Sequence, residues 1–292
     1  MAHHLNGKAK LVGLLGYPIS HSLSPQMHNT AFSHLGLGYA YLTFDTKEDN
    51  LDDVVKAMRV LNVKGFNVTM PNKANIIPLL DEVAPEAQWI GAVNTVLNDN
   101  GKLIGYNTDG RGYVQSLREA GIAFEGKRIV MAGAGGAGKA VAVQLAVDGA
   151  KEIVILDMVA DMAAALSNTI NEKIPSCKTQ GLAFSDENLK EALQTADILV
   201  NCTPLGMTPH EDKSIIADPS VLRRELIVSD VVYKPAKTKL LKMAEAAGCR
   251  TINGFGMMIW QGAMAFKIWT GEDMPVDLVK QKFMETLGAA GK

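Results

Sequence analysis

Several short stretches of this 292-residue chain set hydroxyls, carboxamides and charges just past apolar runs. They are Ser20-His21-Ser22-Leu23-Ser24, Asn67-Val68-Thr69 with Lys73 close behind, Asn94, and Asn107-Thr108-Asp109. Three hydroxyls and an imidazole at a strand-to-helix turn can hold a polyhydroxy or carboxylate ligand. Strand ends are where α/β folds build their sites. Each residue also has a plainer account. Ser24-Pro25 fits an N-cap followed by proline at the first helical position. A lone Lys73 is most often a solvated surface charge, and Asp109 fits an N-cap. Gln261, the one uncharged hydrogen-bonding side chain in a largely apolar helical run, equally fits a helix surface. Capping leaves Ser20, His21 and Ser22 unexplained.

A second chemistry is written in Arg128-Ile-Val-Met-Ala-Gly133-Ala-Gly135-Gly136-Ala137-Gly138-Lys139. Gly133, Gly135 and Gly138 satisfy G-x-G-x-x-G between an apolar strand and a helix-forming run. Gly133 permits a tight turn, Gly135 lets a pyrophosphate approach the backbone, and Gly138 lets the helix pack close to the sheet. The helix N-terminus offers N–H groups and partial positive charge to phosphate. Asp157, 19 residues past Gly138 and at the end of a second apolar strand, stands where an acid meets the ribose hydroxyls. A P-loop does not fit, because Ala140 follows Lys139 where the magnesium-binding Ser or Thr belongs.

The elements that must position these residues fall into two sets. In the first, 10–16, 40–44, 65–70, 91–96 and 103–107 are expected strands, and 98–101 is a hairpin turn. Helices are expected over 24–35, 50–61 (capped by Asn50) and 85–90. After a loop at 121–126, strands at 129–132, 153–156, 198–202 and 226–232 alternate with helices at 162–174, 188–193 and 238–247. That rhythm predicts a doubly wound parallel sheet. A long helix then opens near Gly254. The expected fold is α/β in two α/β domains. A substrate-binding domain spans 1–110 and a Rossmann domain spans 111–253. Helices over 254–292 return to the first domain, and the cleft between the domains is the site.

Composition narrows the field. A formal charge of −2 gives no electrostatic reason for a nucleic-acid partner. No apolar run reaches the ~18 residues of a membrane span, and residues 1–8 carry no signal-type apolar core. Cys177, Cys202 and Cys249 lack metal-ligand spacing, so no metal is expected, and a reducing cytoplasm is the expected location. A monomer or homodimer acting on a small molecule is the expected assembly.

Taken in order, these motifs resemble the shikimate dehydrogenase family, including its quinate/shikimate branch. The carrying stretches are Tyr17-Pro-Ile-Ser-His-Ser22-Leu-Ser24-Pro, Asn67-Val-Thr69-Met-Pro-Asn-Lys73, Gly91-Ala-Val-Asn94-Thr, Gly105-Tyr-Asn-Thr-Asp109-Gly, Gly133-Ala-Gly-Gly-Ala, Asn201-Cys-Thr-Pro-Leu-Gly-Met207, Asp230-Val-Val-Tyr233 and Gly256-Met…Gln261. The resemblance implies reversible hydride transfer between a nicotinamide cofactor and C3 of shikimate, giving 3-dehydroshikimate. It implies Ser22 and Ser24 on the substrate carboxylate, and Thr69, Asn94, Asp109 and Gln261 on its hydroxyls, with Tyr41 joining the pocket wall. Lys73, paired with Asp109, would exchange the proton of the reacting hydroxyl. Gly133, Gly135, Gly136, Ala137, Gly138, Asp157, Thr203, Met207, Val231, Tyr233, Gly254 and Met257 would line the cofactor.

Asp157-Met158-Val159 departs from the Asn-Arg-Thr or Asn-Arg-Ser that NADP-using members carry. No Lys or Arg occurs from 157 to 172. A carboxylate repels a 2′-phosphate and accepts from ribose hydroxyls, so NAD is expected to be preferred, with NADP second. NAD use suits oxidation, as in quinate or shikimate catabolism. The serine pair favours shikimate, because quinate carries an added hydroxyl beside the carboxylate. A non-catalytic NAD-binding sensor on the same fold is the rival reading, together with a dehydrogenase of a related acid such as amino-shikimate.

Overall fold

The structure, a computed structural model, describes residues 5–289. The leader reading rests partly on residues 1–4, and the expected C-terminal segment runs to 292, so both extend outside the described residues. The chain divides into two compact units, Met1–Thr108 with Ile259–Lys292, and Asp109–Met258.

The first unit carries β1 (Lys10–Gly16), α1 (Ser24–Leu35), β2 (Tyr39–Asp45), α2 (Leu51–Val60), β3 (Gly65–Val68), β4 (Glu82–Val83), α3 (Pro85–Ile90), β5 (Thr95–Asp99) and β6 (Lys102–Tyr106). Its strands form one sheet in the order β2-β1-β3-β5-β6-β4. β1 runs parallel to β2 and β3, whereas β5 is antiparallel to both β3 and β6. The carboxyl ends of β1, β3 and β6 and the amino end of β5 therefore share one edge. One face buries Leu15, Phe66, Val68, Val96 and Leu103 under Leu51, Val55 and Met58 of α2. At about 1.5–3 kcal/mol per buried apolar side chain, this face anchors the edge that carries the polar residues.

The second unit carries α4 (Asp109–Glu119), β7 (Arg128–Ala132), α5 (Gly136–Val147), β8 (Glu152–Asp157), α6 (Ala160–Lys173), β9 (Lys178–Ala183), α7 (Asp186–Leu193), β10 (Ile198–Asn201), β11 (Ile227–Asp230), α8 (Lys239–Ala246) and β12 (Arg250–Ile252). All its strand pairs are parallel, in the order β12-β11-β10-β7-β8-β9. This is the 3-2-1-4-5-6 order of a dinucleotide-binding sheet, with its reversal point between β7 and β10. Strands buried on both faces need continuous apolar runs. Ile129 to Ala132, Ile153 to Leu156 and Ile198 to Val200 are such runs and are buried throughout. The chain leaves this unit inside α9 (Phe255–Thr270), and the described residues end with α10 (Val276–Ala289), which packs on α1.

Several local expectations are corrected. Ser24 does not cap α1. It is the helix's first residue, Leu23 holds the N-cap position without a side-chain bond, and the Ser24 N–H donates to Ser22 Oγ at 3.2 Å. Asn50 closes a short 3₁₀ turn (Glu48–Asn50) and makes no capping bond to α2. The fifth strand starts at Thr95, not 91, because Gly91 takes φ +70° to end α3. Lys73, close behind β3, lies in a run of turns. β9 and β12 lie outside the expected strands. Both are edge strands, and β9 reads Lys-Thr-Gln-Gly-Leu-Ala, with Gly181 pressed against the backbone of Ala163. The hairpin at Asn98 to Gly101 forms, with Asn100 and Gly101 both at positive φ (54° and 95°).

Candidate active site

Topology brings the sequence-distant polar residues of the first unit to one sheet edge. Val68 N–H donates to Asn94 O at 2.9 Å, and Asn94 N–H to Tyr106 O at 3.0 Å. The loop after β3 is pinned on both sides. Thr69 N–H donates to Leu15 O, Tyr17 N–H donates to Met70 O at 3.0 Å, and Lys73 O accepts from Val93 N–H at 2.8 Å. Buried Asn72 adds an Nδ2 donation to Thr46 O at 2.8 Å. Thus the half-buried Lys73 rises from a fixed turn beside Asn94. Gly16 helps set this geometry, since a Cβ there would lie 2.3 Å from Thr69 Cγ2.

Asn94 is 3 % exposed, and its carboxamide works inside the protein. Its Nδ2 donates to Thr108 Oγ1 at 3.0 Å, and its Oδ1 accepts from the Thr108 N–H at 2.8 Å and from Thr95 Oγ1 at 2.9 Å. Thr108 is thereby fixed, and the next residue is Asp109, the half-buried start of α4.

Tyr41 does not form pocket surface. It has no exposed area, and its phenol donates to Asn67 Oδ1 at 2.8 Å. Asn67 Nδ2 in turn donates to Asn94 O at 3.1 Å and Thr95 Oγ1 at 3.0 Å. Burial pushes the Tyr41 phenol up in pKa, and nearby Ser24 holds it down in part. His28 stacks on Tyr41 at 4.5 Å between ring centroids, and burial pushes it down to about 3, so it is neutral. On α9, a Cβ at Gly262 would lie 2.5 Å from Met27 Sδ, which places the helix, and with it Gln261, against the first turns of α1.

In the second unit the glycine loop has the form its spacing predicts. Gly133 takes φ +102°, and its Cβ would sit 2.9 Å from the Cys202 backbone. At Gly138 a Cβ would lie 2.0 Å from Gly133 O. At Gly135 and Gly136 nothing lies within 4 Å, so this part of the loop stays open to a bound group. The helix after it, α5, starts at Gly136 without a side-chain cap, leaving its first N–H groups to an anion. These features fit a dinucleotide pyrophosphate. Asp157 is held in place: Oδ2 accepts from Ala134 N–H at 2.6 Å and Oδ1 from Val159 N–H at 2.8 Å. Thr203 and Met207 follow β10, and Val231 and Tyr233 follow β11, on the same edge. Met207 and Tyr233 are exposed (44 % and 40 %). Gly254 packs on the Val231 backbone, and Met257 is buried on α9.

Residues 14–96 match the family model described as shikimate dehydrogenase substrate binding domain, and 254–282 match shikimate 5'-dehydrogenase C-terminal domain. Shikimate dehydrogenase (NADP(+)) of Alkaliphilus metalliredigens is 60 % identical over 281 residues, 96 % of this chain and 98 % of that protein. The chain belongs to the shikimate dehydrogenase family. Shikimate dehydrogenase (NADP(+)) of Listeria monocytogenes is 49 % identical over 285 residues, 96 % of this chain and 98 % of its own. A crystal structure of shikimate 5-dehydrogenase from Listeria monocytogenes, in complex with shikimate and NAD, is 47 % identical. It superposes with a TM-score of 0.94 over 97 % of this chain and 99 % of that one. Members of this family are oxidoreductases that use a nicotinamide cofactor, and so is this chain. Among the described residues no cluster has the makings of a metal site, and no helix is long and apolar enough to cross a membrane.

Asn67, Thr95 and Thr108 order the first unit's edge; the sequence marked Asn67 and Thr108 only as polar residues past apolar runs, without individual roles, and left Thr95 unremarked. Their signal is a polar side chain inside an otherwise apolar strand run, where burial demands partners.

Proposed function

We propose that this chain interconverts shikimate and 3-dehydroshikimate, using NAD in preference to NADP. The supporting observation is the gathering of Ser22, Ser24, Thr69, Lys73 and Asn94 on one sheet edge, from loops that are separate in sequence.

The bound nicotinamide supplies the hydride acceptor or donor. A secondary alcohol gives up hydride only as its O–H proton leaves, so a proton acceptor must stand within hydrogen-bond reach. Lys73 takes that proton in oxidation and returns it in reduction. Asp109 is the carboxylate assigned to the same proton exchange, and the Asn94–Thr108 bonds fix the backbone from which it leaves. Ser22 and Ser24 receive the carboxylate, while Thr69 and Gln261 hold ring hydroxyls. In the second unit Gly135 and the start of α5 receive the pyrophosphate, and Asp157 accepts from the adenosine ribose.

NAD preference rests on Asp157 and on the lack of Lys or Arg from 157 to 172. The NADP(+) in the relatives' names does not decide the matter for this chain, since the Listeria structure holds NAD. Three free, buried cysteines suit a reducing compartment, and we place the enzyme in the cytoplasm as a monomer or homodimer. Lys73→Met tests the acid/base role. We expect kcat to fall about 10²- to 10⁴-fold with the cofactor Kd unchanged, and a variant that keeps its kcat refutes it.

A further inference from the structure

Two polar side chains close neighbouring strands of the second unit almost without exposure. Asn201 ends β10 and Asp230 ends β11, in register with one another, at 1 % and 0 % exposure. Asp230 Oδ1 accepts from Asn201 Nδ2 at 3.0 Å and from the Val232 N–H at 3.0 Å. Its Oδ2 accepts from the Thr238 hydroxyl at 2.7 Å. Burial pushes its carboxyl up, and these donors pull it back.

Asn201 carries the order into the next loop. Its Oδ1 accepts from the Thr203 N–H at 3.0 Å and the Thr203 hydroxyl at 2.7 Å, and its Nδ2 also donates to Leu205 O at 3.1 Å. Thr203 Oγ1 accepts from the Leu205 N–H at 3.2 Å. On the other side Thr238 caps α8, and a Cβ at Gly206 would lie 3.0 Å from Thr238 Cβ. One buried carboxylate thus ties together the loop after β10, the loop after β11 and the start of α8.

The two side chains also satisfy backbone groups of both loops, the Val232 N–H, the Thr203 N–H and Leu205 O, which apolar side chains would leave without partners. What a fully satisfied polar cluster adds is a single arrangement of the backbone around it. We propose that Asp230 and Asn201 are positioning residues for the cofactor. They hold the segment from Thr203 to Met207 against that from Val231 to Tyr233 and so set cofactor affinity and orientation without touching the cofactor. This rests on the dehydrogenase reading above.

Asn201→Asp sets two carboxylates in register on adjacent strands. Asp230→Asn with Asn201→Asp restores a donor facing an acceptor, with the roles exchanged. Cofactor Kd by titration calorimetry and initial rates with each substrate varied are the readouts, with melting curves to show folding. We expect Asn201→Asp to raise the cofactor Kd and KM about tenfold, as when a buried polar group loses its partner. The shikimate KM should stay within about twofold of wild type, and the double variant should recover part of the loss, because the bond to Leu205 O stays broken. Thr238→Val is expected to move cofactor KM the same way, and Thr238→Ser to leave it unmoved. This pair carries the test if Asn201→Asp does not fold. Equal losses for both substrates, no recovery in the double variant, or a silent Thr238→Val overturns the proposal. A wild-type chain that binds NAD but does not oxidise shikimate refutes the dehydrogenase reading instead, and the Kd series still reports on positioning.

Discussion

Replacing Asp157 should change which cofactor the enzyme accepts. Its two carboxylate oxygens receive separate backbone donors, Ala134 N–H at 2.6 Å and Val159 N–H at 2.8 Å, so the carboxylate has no easy route away from an incoming 2′-phosphate. Two unit charges ~4 Å apart at an effective dielectric of ~20 repel by about 4 kcal/mol. Asp157 is half-exposed, and salt screens over about 8–10 Å, so about 1.4–2 kcal/mol should survive, a 10- to 30-fold bias against NADP. Asp157→Asn removes the charge, but its single oxygen can serve only one of the two N–H groups. It should therefore weaken NAD as well as improve NADP. Met158 is 81 % exposed, so Met158→Arg can be added without disturbing the core, and it offers the phosphate a partner. Initial rates with each cofactor at saturating shikimate give the ratio of kcat/KM. The ratio for NAD over NADP is expected to fall 10- to 30-fold in Asp157→Asn and further in the double variant. A wild-type enzyme that already prefers NADP, or a ratio unmoved by Asp157→Asn, refutes the reasoning.

Other consequences follow from the same geometry. Gly135→Ala meets no protein atom, so the melting temperature should hold while cofactor KM rises; Gly138→Ala drives a Cβ into Gly133 O and should lower both stability and binding. Tyr41→Phe leaves buried Asn67 Oδ1 without its donor and should cost about 1–3 kcal/mol in denaturant melts. His28, held neutral with its pKa at about 3 against 6.5 unfolded, makes the unfolded chain the better proton binder below pH 6.5. Stability should therefore decline as pH falls below 6.5, by up to about 1.4 kcal/mol per unit from this residue. His28→Phe should flatten that slope in melts at stepped pH, and an unchanged slope would contradict it.

Residues whose roles depend on backbone shape were legible in the sequence. Gly133 and Gly138 announce a turn and a close helix because no other residue fits there, and the buried runs of β7, β8 and β10 announce a parallel sheet because both faces are covered. Edge strands are exposed on one side and need no such run. Lys-Thr-Gln-Gly-Leu-Ala of β9 therefore carried no strand signal, and its place is set by α6 packing on Gly181. Ser24 misled as a cap because serine before proline suits either role, and only the Ser22 bond and the Leu23 N-cap settle the register. Tyr41 was placed at the pocket wall by the family resemblance, which carries no information on its burial here. Its burial follows from His28 stacking on it and from Trp269 of α9 packing against both at a tilt, a long-range packing that no local pattern encodes. Asn201 and Asp230 were visible as polar ends of apolar strands, but their partnership exists only once β10 and β11 lie side by side.

The most direct test is a grid of initial rates for shikimate and quinate, each with NAD and NADP, on the wild-type enzyme and on Lys73→Met. Turnover of shikimate with NAD above every other combination, lost in Lys73→Met while NAD still binds, is the predicted result. Absence of turnover in all four combinations, or full activity in Lys73→Met, would contradict the account.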